Sequence, residues 1–135
     1  MNRLLNILFI DDDVIEVMKF NRVLDKLNLN HKVIEANNAK EALSILKNKD
    51  IIPDLIILDL KMPEINGVEF LRIVKNDDGL KRIPLVVFTT SNDLHDILKC
   101  YEIGVSGYML KHLKYEDYEI IVEKTLNYWS CNELT

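Results

Sequence analysis

Short apolar runs alternate with longer amphipathic stretches along the chain, and the alternation occurs five times. Residues 7–10, 32–36, 55–58, 85–88 and 107–110 read as strands. Ile7-Leu8-Phe9-Ile10, Leu55-Ile56-Ile57-Leu58 and Leu85-Val86-Val87-Phe88 are continuous apolar runs, the pattern of parallel strands covered on both faces. Between the runs the period changes to that of a helix. Ala39, Ala42, Leu43 and Leu46 form one stripe, and Leu94, Ile97, Leu98 and Tyr101 a second. A third comprises Tyr118, Ile121, Val122, Thr125, Leu126 and Trp129. Start signals agree: Asn38 precedes the second helix and Ser91-Asn92-Asp93 the fourth. Pro53 and Pro84 stand at strand openings, and Gly79 breaks the run before the fourth strand.

Strict strand–helix alternation predicts a doubly wound α/β sheet, a (βα)5 unit. The chain has 135 residues, enough for one ordinary core. No linker, repeat or low-complexity segment interrupts it, so residues 1–135 are expected to form a single domain.

Composition narrows the function. Hydrophobic residues at 48% and charged residues at 29% are the balance of a soluble globular protein. The net charge of −5, with Lys and Arg scattered, disfavours binding to a nucleic-acid backbone. No apolar run approaches the roughly 20 residues of a membrane span. Asp11 interrupts the opening apolar segment before a signal-peptide core can form, so a cytoplasmic location is expected. Cys100 and Cys131 lack a metal or redox spacing and are expected as free thiols, buried or half-buried.

In such a sheet, ligands collect beyond the carboxyl ends of the strands. The first strand ends in Asp11-Asp12-Asp13, the third in Asp59, the fourth in Thr89-Thr90 and the fifth in Lys111. Taken singly, each has a plain explanation. Asp13 caps the helix from Val14, and an isolated Asp, Thr or Lys suits a turn, a strand end or a solvated surface. Together they make a chemical set. Crowded carboxylates repel one another unless a cation intervenes, and a hard divalent ion with oxygen ligands is the natural one. A lysine and a threonine hydroxyl can hold phosphoryl oxygens, and an aspartate can attack phosphorus.

Four segments carry a resemblance: residues 7–13, residues 53–67 with Asp59 leading through Met62-Pro63 to Asn66-Gly67, residues 83–91 with Thr89-Thr90-Ser91, and residues 104–111 ending in Lys111. They resemble response-regulator receiver domains, the chemotaxis-type phospho-acceptor family, over nearly the whole chain. The Thr89-Thr90-Ser91 form and the long 77–82 loop are most similar to small single-domain regulators associated with bacterial phytochromes. The resemblance implies a flavodoxin-like sheet of strand order 2-1-3-4-5. It implies a stand-alone response regulator of a two-component phosphorelay, phosphorylated on Asp59 by a histidine kinase or phosphotransfer protein. Such a protein signals to a downstream protein and is no enzyme beyond assisting its own phosphorylation and dephosphorylation. Asp12 and Asp59 would bind Mg²⁺ directly, Asp11 through water, and Lys61 through its backbone carbonyl. Thr89 and Lys111 would take phosphoryl oxygens, with Thr89 and Tyr108 as the switch pair.

One departure stands out. Family members follow the lysine with a proline in a cis peptide, whereas here His112 follows Lys111. A cis bond before a non-proline residue costs about 3 kcal/mol, so the loop either accepts that cost or takes another path. The fourth helix, fifth strand and fifth helix, with Tyr101, Glu102, Lys111, His112, Lys114 and Tyr115, offer a face for the downstream partner or a second copy. Two rival functions keep the fold class: an adaptor independent of phosphorylation, and an Asp phosphohydrolase of the haloacid-dehalogenase type. The first would be expected to lose Asp59 or Lys111, and the second needs an Asp two residues beyond the nucleophile, where Lys61 stands.

Overall fold

Five parallel strands hydrogen-bond in the order β2-β1-β3-β4-β5, with five helices on the two faces of the sheet. The computed structural model describes residues 3–134. The elements are β1 (Asn6–Ile10), α1 (Val14–Lys26), β2 (Lys32–Ala36), α2 (Ala39–Lys47), β3 (Leu55–Leu58), α3 (Gly67–Lys75), β4 (Leu85–Thr89), α4 (Leu94–Ile103), β5 (Gly107–Leu110) and α5 (Tyr115–Ser130).

The three continuous apolar runs are the central strands β1, β3 and β4. Because side chains alternate across a strand, each run serves two cores. Ile7, Phe9, Leu55, Ile57, Val86 and Phe88 meet Val17, Phe20 and Val23 of α1 and Tyr118, Val122 and Leu126 of α5. Leu8, Ile10, Ile56, Leu58, Leu85 and Val87 meet Ala39, Ala42 and Leu46 of α2, Phe70, Leu71 and Val74 of α3, and Cys100 of α4. The first core is the aromatic one: Phe9 stacks on Phe20 at 4.3 Å, and Phe88 lies 5.3 Å from Tyr118.

Helix starts follow their caps. The side chains of Asp13, Asn38, Asn66 and Asp93 accept hydrogen bonds from the first-turn N–H groups of Ile15, Glu41, Glu69 and His95. The chain leaves α1 through Asn28 in the left-handed region (φ 54°), and the Leu29 N–H returns to the Leu24 carbonyl. The two ends of the described chain meet, with the Arg3 N–H donating to the Ser130 carbonyl at 2.9 Å. Among the described residues no helix is long and apolar enough to cross a membrane.

Three expectations need correction. The stripe read on α4 faces outward: Leu94, Leu98 and Tyr101 are 65%, 60% and 53% exposed. The α4 residues packed on the core are Cys100, fully buried, and Ile103, partly so, while Ile97 is half-buried. Both sets are apolar at helical spacing, so periodicity alone does not choose between them. Cys131 is exposed rather than half-buried, because the buried stripe of α5 ends at Ser130 and Cys131 is already the C-cap. Lys111 is absent from the exposed α4–β5–α5 surface, since its side chain turns inward among carboxylates.

Candidate functional site

The sheet ladder continues one residue past β1, β3 and β5 and so fixes the backbones that carry the polar set. The Asp11 N–H donates to the Ala36 carbonyl, that of Asp59 to Ile10, and that of Lys111 to Thr89. Asp11, Asp59, Thr89 and Lys111 therefore sit at one end of the sheet without relying on loop stiffness. One carboxylate oxygen from each of Asp11, Asp12 and Asp59 lies within 4.8 Å of the others. Asp11 is buried and Asp12 exposed. Lys61 follows two residues after Asp59 with its side chain in solvent.

The turn between β3 and α3 is pressed hard against Asp59. The Gly67 N–H donates to the Leu60 carbonyl at 2.9 Å. A Cβ on Gly67 would stand 2.6 Å from Leu60 Cα and 2.8 Å from the Asp59 carbonyl oxygen. Only glycine permits that approach. In the same turn Glu64 has φ of 64°, an uncommon conformation for a residue with a side chain.

Lys111 is the one lysine among these acids. Its ammonium donates to Asp11 Oδ2 at 2.7 Å and lies 3.6 Å from Glu16 Oε2 and 3.9 Å from Asp59 Oδ1. No described peptide bond is cis, so the chain passes from Lys111 to His112 in trans and the lysine still reaches the carboxylates. Burial alone would lower the Lys111 pKa. The hydrogen bond to Asp11 and the charges of Asp59, Asp11 and Glu16 outweigh burial and hold it above the usual value. One ammonium does not neutralise three clustered carboxylates. Burial pushes the Asp59 carboxyl up to about 6; Lys111 and the Thr89 hydroxyl oppose the rise, and Asp11 and Asp12 add to it. Asp11 is raised as well, because its burial outweighs the bond from Lys111. The site carries an excess of negative charge, a standing demand for another cation.

Thr89 is fully buried at the end of β4, and its hydroxyl accepts weakly from the Ser91 N–H at 3.4 Å. The Tyr108 hydroxyl donates to the Ser91 carbonyl at 2.8 Å, and the Ser91 hydroxyl donates to Asp96 Oδ2 at 2.7 Å. Tyr108 thus ties β5 to the loop that follows Thr89. Sequence reasoning reads Ser91 only as part of a helix-start signal and of the Thr89-Thr90-Ser91 segment, gives no role to Asp96, and misses Glu16 entirely. An acidic residue in the first turn of a helix has an ordinary explanation in the helix dipole, and nothing in the spacing marks it as a neighbour of Lys111, 95 positions away by subtraction.

Comparison with known proteins agrees with this geometry. The family model described as the response regulator receiver domain matches residues 7–123. The probable methanogenesis regulatory protein FilR2 of Methanothrix harundinacea is 31% identical over 91% of this chain and 82% of its own. Response regulator Rcp1 of Synechocystis is 30% identical over 91% of this chain and 87% of its own. Among solved structures, the phosphorylated cyanobacterial phytochrome response regulator RcpA superposes with a TM-score of 0.91 at 30% identity, covering 98% of this chain and 99% of that one. The Mn²⁺-bound form of Rcp1 superposes with a TM-score of 0.89 at 29% identity, covering 97% and 99%. With the fold, the strand order and more than four-fifths of the chain in agreement, this protein belongs to the response regulator receiver domain family.

Proposed function

We propose that the protein is a phosphorylation-driven switch of a two-component system in which Asp59 accepts the phosphoryl group. The donor is a phosphohistidine on a sensor kinase or a phosphotransfer protein. An Asp59 carboxylate oxygen attacks phosphorus, the bond from phosphorus to the donor imidazole breaks, and that imidazole recovers its proton from solvent. Even in the metal-free protein, where burial pushes its pKa up to about 6, Asp59 is mostly ionised at neutral pH, so a carboxylate oxygen is available as the nucleophile. Lys111 and the Thr89 hydroxyl are the donors for the transferred oxygens, and positioning and charge neutralisation supply most of the catalysis. The protein modifies only itself.

The donor set fits a divalent cation. Three clustered carboxylates with a charge excess match a hard ion that prefers oxygen, and Mg²⁺ is the expected one. Asp12 and Asp59 would hold it directly, Asp11 through water and Lys61 by its backbone carbonyl. When bound, the ion neutralises charge shared by the acceptor and the incoming phosphoryl group. The Mn²⁺-bound form of Rcp1 and the phosphorylated form of RcpA support the same chemistry here.

Output passes to a downstream protein, or to a second copy, through the α4–β5–α5 face. Leu94, Leu98 and Tyr101 stand exposed there, and the Tyr108–Ser91 bond links that face to the loop after Thr89. The observation that carries the whole reading is the convergence of Asp11, Asp12, Asp59 and Lys111 from three strand ends. Incubation with acetyl phosphate and Mg²⁺ should add one phosphoryl mass, and both Asp59→Asn and chelation should abolish it. An Asp59→Asn protein labelled to the same extent would overturn the assignment.

A further inference from the structure

The first turn of α1 lies against the buried lysine. Glu16 Oε2 is 3.6 Å from the Lys111 ammonium, is shielded from solvent and has no hydrogen-bond partner. The other oxygen, Oε1, is 3.6 Å from the Lys19 ammonium, which in turn sits 4.3 Å over the Tyr118 ring. A buried carboxylate oxygen without a hydrogen bond is costly, and the ammonium 3.6 Å from Oε2 is that of Lys111, which also donates to Asp11 Oδ2 at 2.7 Å. The same ammonium is 3.9 Å from Asp59, outside hydrogen-bonding distance.

We propose that Glu16 is a positioning residue that holds Lys111 back from Asp59, so that engagement of a phosphoryl group by Lys111 is opposed by the uncovering of Glu16. The inference rests on the reading of Asp59 as phospho-acceptor and adds a residue to it. On this proposal, movement of the ammonium toward an oxygen on Asp59 draws it away from Glu16 Oε2 and from Asp11 Oδ2, which accepts from it at 2.7 Å. Separation of opposite charges is expensive where water is excluded. Lys19 stands beside the other oxygen, Oε1, and the Tyr115 and Tyr118 hydroxyls, though also buried and unpartnered, carry no charge to replace Lys111. Glu16 acts through Lys111 and does not itself touch the reacting atoms. Removing its charge should therefore favour the engaged state of Lys111. Glutamine keeps the shape of the side chain without the charge to be uncovered.

The test is a double-mutant cycle with beryllofluoride as the phosphoryl mimic, in the presence of Mg²⁺. Glu16→Gln should bind beryllofluoride about ten-fold more tightly than the native protein. Glu16→Asp should stay close to native, and in a Lys111→Met background Glu16→Gln should make no difference. A merely structural role would shift thermal stability and would not vanish with Lys111. The Lys111 side-chain ammonium signal, assigned by its loss in Lys111→Arg, gives a readout without any ligand and should move in Glu16→Gln. If that signal moves while native protein binds no beryllofluoride, the positioning holds and the phospho-acceptor reading fails. Equal beryllofluoride affinity in native protein and Glu16→Gln, or an equal gain with Lys111→Met, would refute the role of Glu16 and leave the acceptor assignment standing.

Discussion

Asp59 occupies surroundings that favour its neutral form, and this has a measurable cost to folding. Its pKa rises from 3.8 to about 6, chiefly through burial. The sign follows from proton linkage. The folded state binds the proton more tightly, so the stability tied to this group is full below about pH 4 and is lost as pH rises through about 6. A rise of this size is worth at most roughly 3 kcal/mol. Asp59→Asn, which also gives up an attraction to Lys111, should stabilise the metal-free protein by about 1–2 kcal/mol at pH 7.5. The gain should shrink toward zero near pH 4. Urea melts in chelator at the two pH values check this, and a gain independent of pH would refute the electrostatic account. The polar set was legible in the sequence as residue types at strand ends, because a parallel sheet sends all its strand ends to one side. Glu16 was not legible, since its proximity to Lys111 depends on how α1 rolls on the sheet.

Among the elements, the turn into α3 and the whole of α4 differ most from their neighbours. Gly67 fits only because it lacks a Cβ, with Leu60 Cα and the Asp59 carbonyl in the way. Gly67→Ala should cost about 2–3 kcal/mol, since the contacts to be relieved are backbone atoms. The displaced turn should also slow acetyl-phosphate labelling of Asp59. Urea denaturation and mass spectrometry read the two effects separately, and a variant of native stability would contradict so close an approach of α3 to Asp59. Helix α4 is held differently from α5. It contributes a single fully buried residue, Cys100, whereas α5 buries Tyr118, Val122 and Leu126. Elements with few buried contacts open at lower free energy. Amides in the second half of α4 should exchange at least about ten-fold faster than those around Val122. Equal protection would mean that α4 opens only with the whole domain. The sequence was read on only one apolar line of α4, that of Leu94, Ile97, Leu98 and Tyr101, because contact with α3 and the edge of the sheet, not periodicity, turns Cys100 and Ile103 inward.

At the scale of the molecule, strand–helix alternation predicted the elements, and the two-sided core follows from the apolar runs of β1, β3 and β4. Strand order did not come from periodicity, which is silent on neighbours; it came from the resemblance of the site segments to receiver domains, and the observed order agrees. One feature of the described chain reaches beyond signalling. The Arg3 N–H bonds the Ser130 carbonyl at 2.9 Å, and Leu134 lies four residues further on by subtraction. At no more than about 3.6 Å per residue, a linker of roughly six Gly/Ser residues closes that gap. The exposed stretch Asn48-Lys49-Asp50 between α2 and β3 lies at the opposite end of the sheet from Asp59. A circular permutant opened there should fold and remain competent for Mg²⁺-dependent labelling, as exposed loop tips tolerate such cuts. In its chain order Asp59, the α4–β5–α5 face and Lys111 come first, and Asp11 and Asp12 follow the linker. On a ribosome the native chain completes the three carboxylates with Asp59, whereas the permutant completes them later, with Asp12 and after Lys111, which turns chain order into a handle on when the acidic cluster first forms.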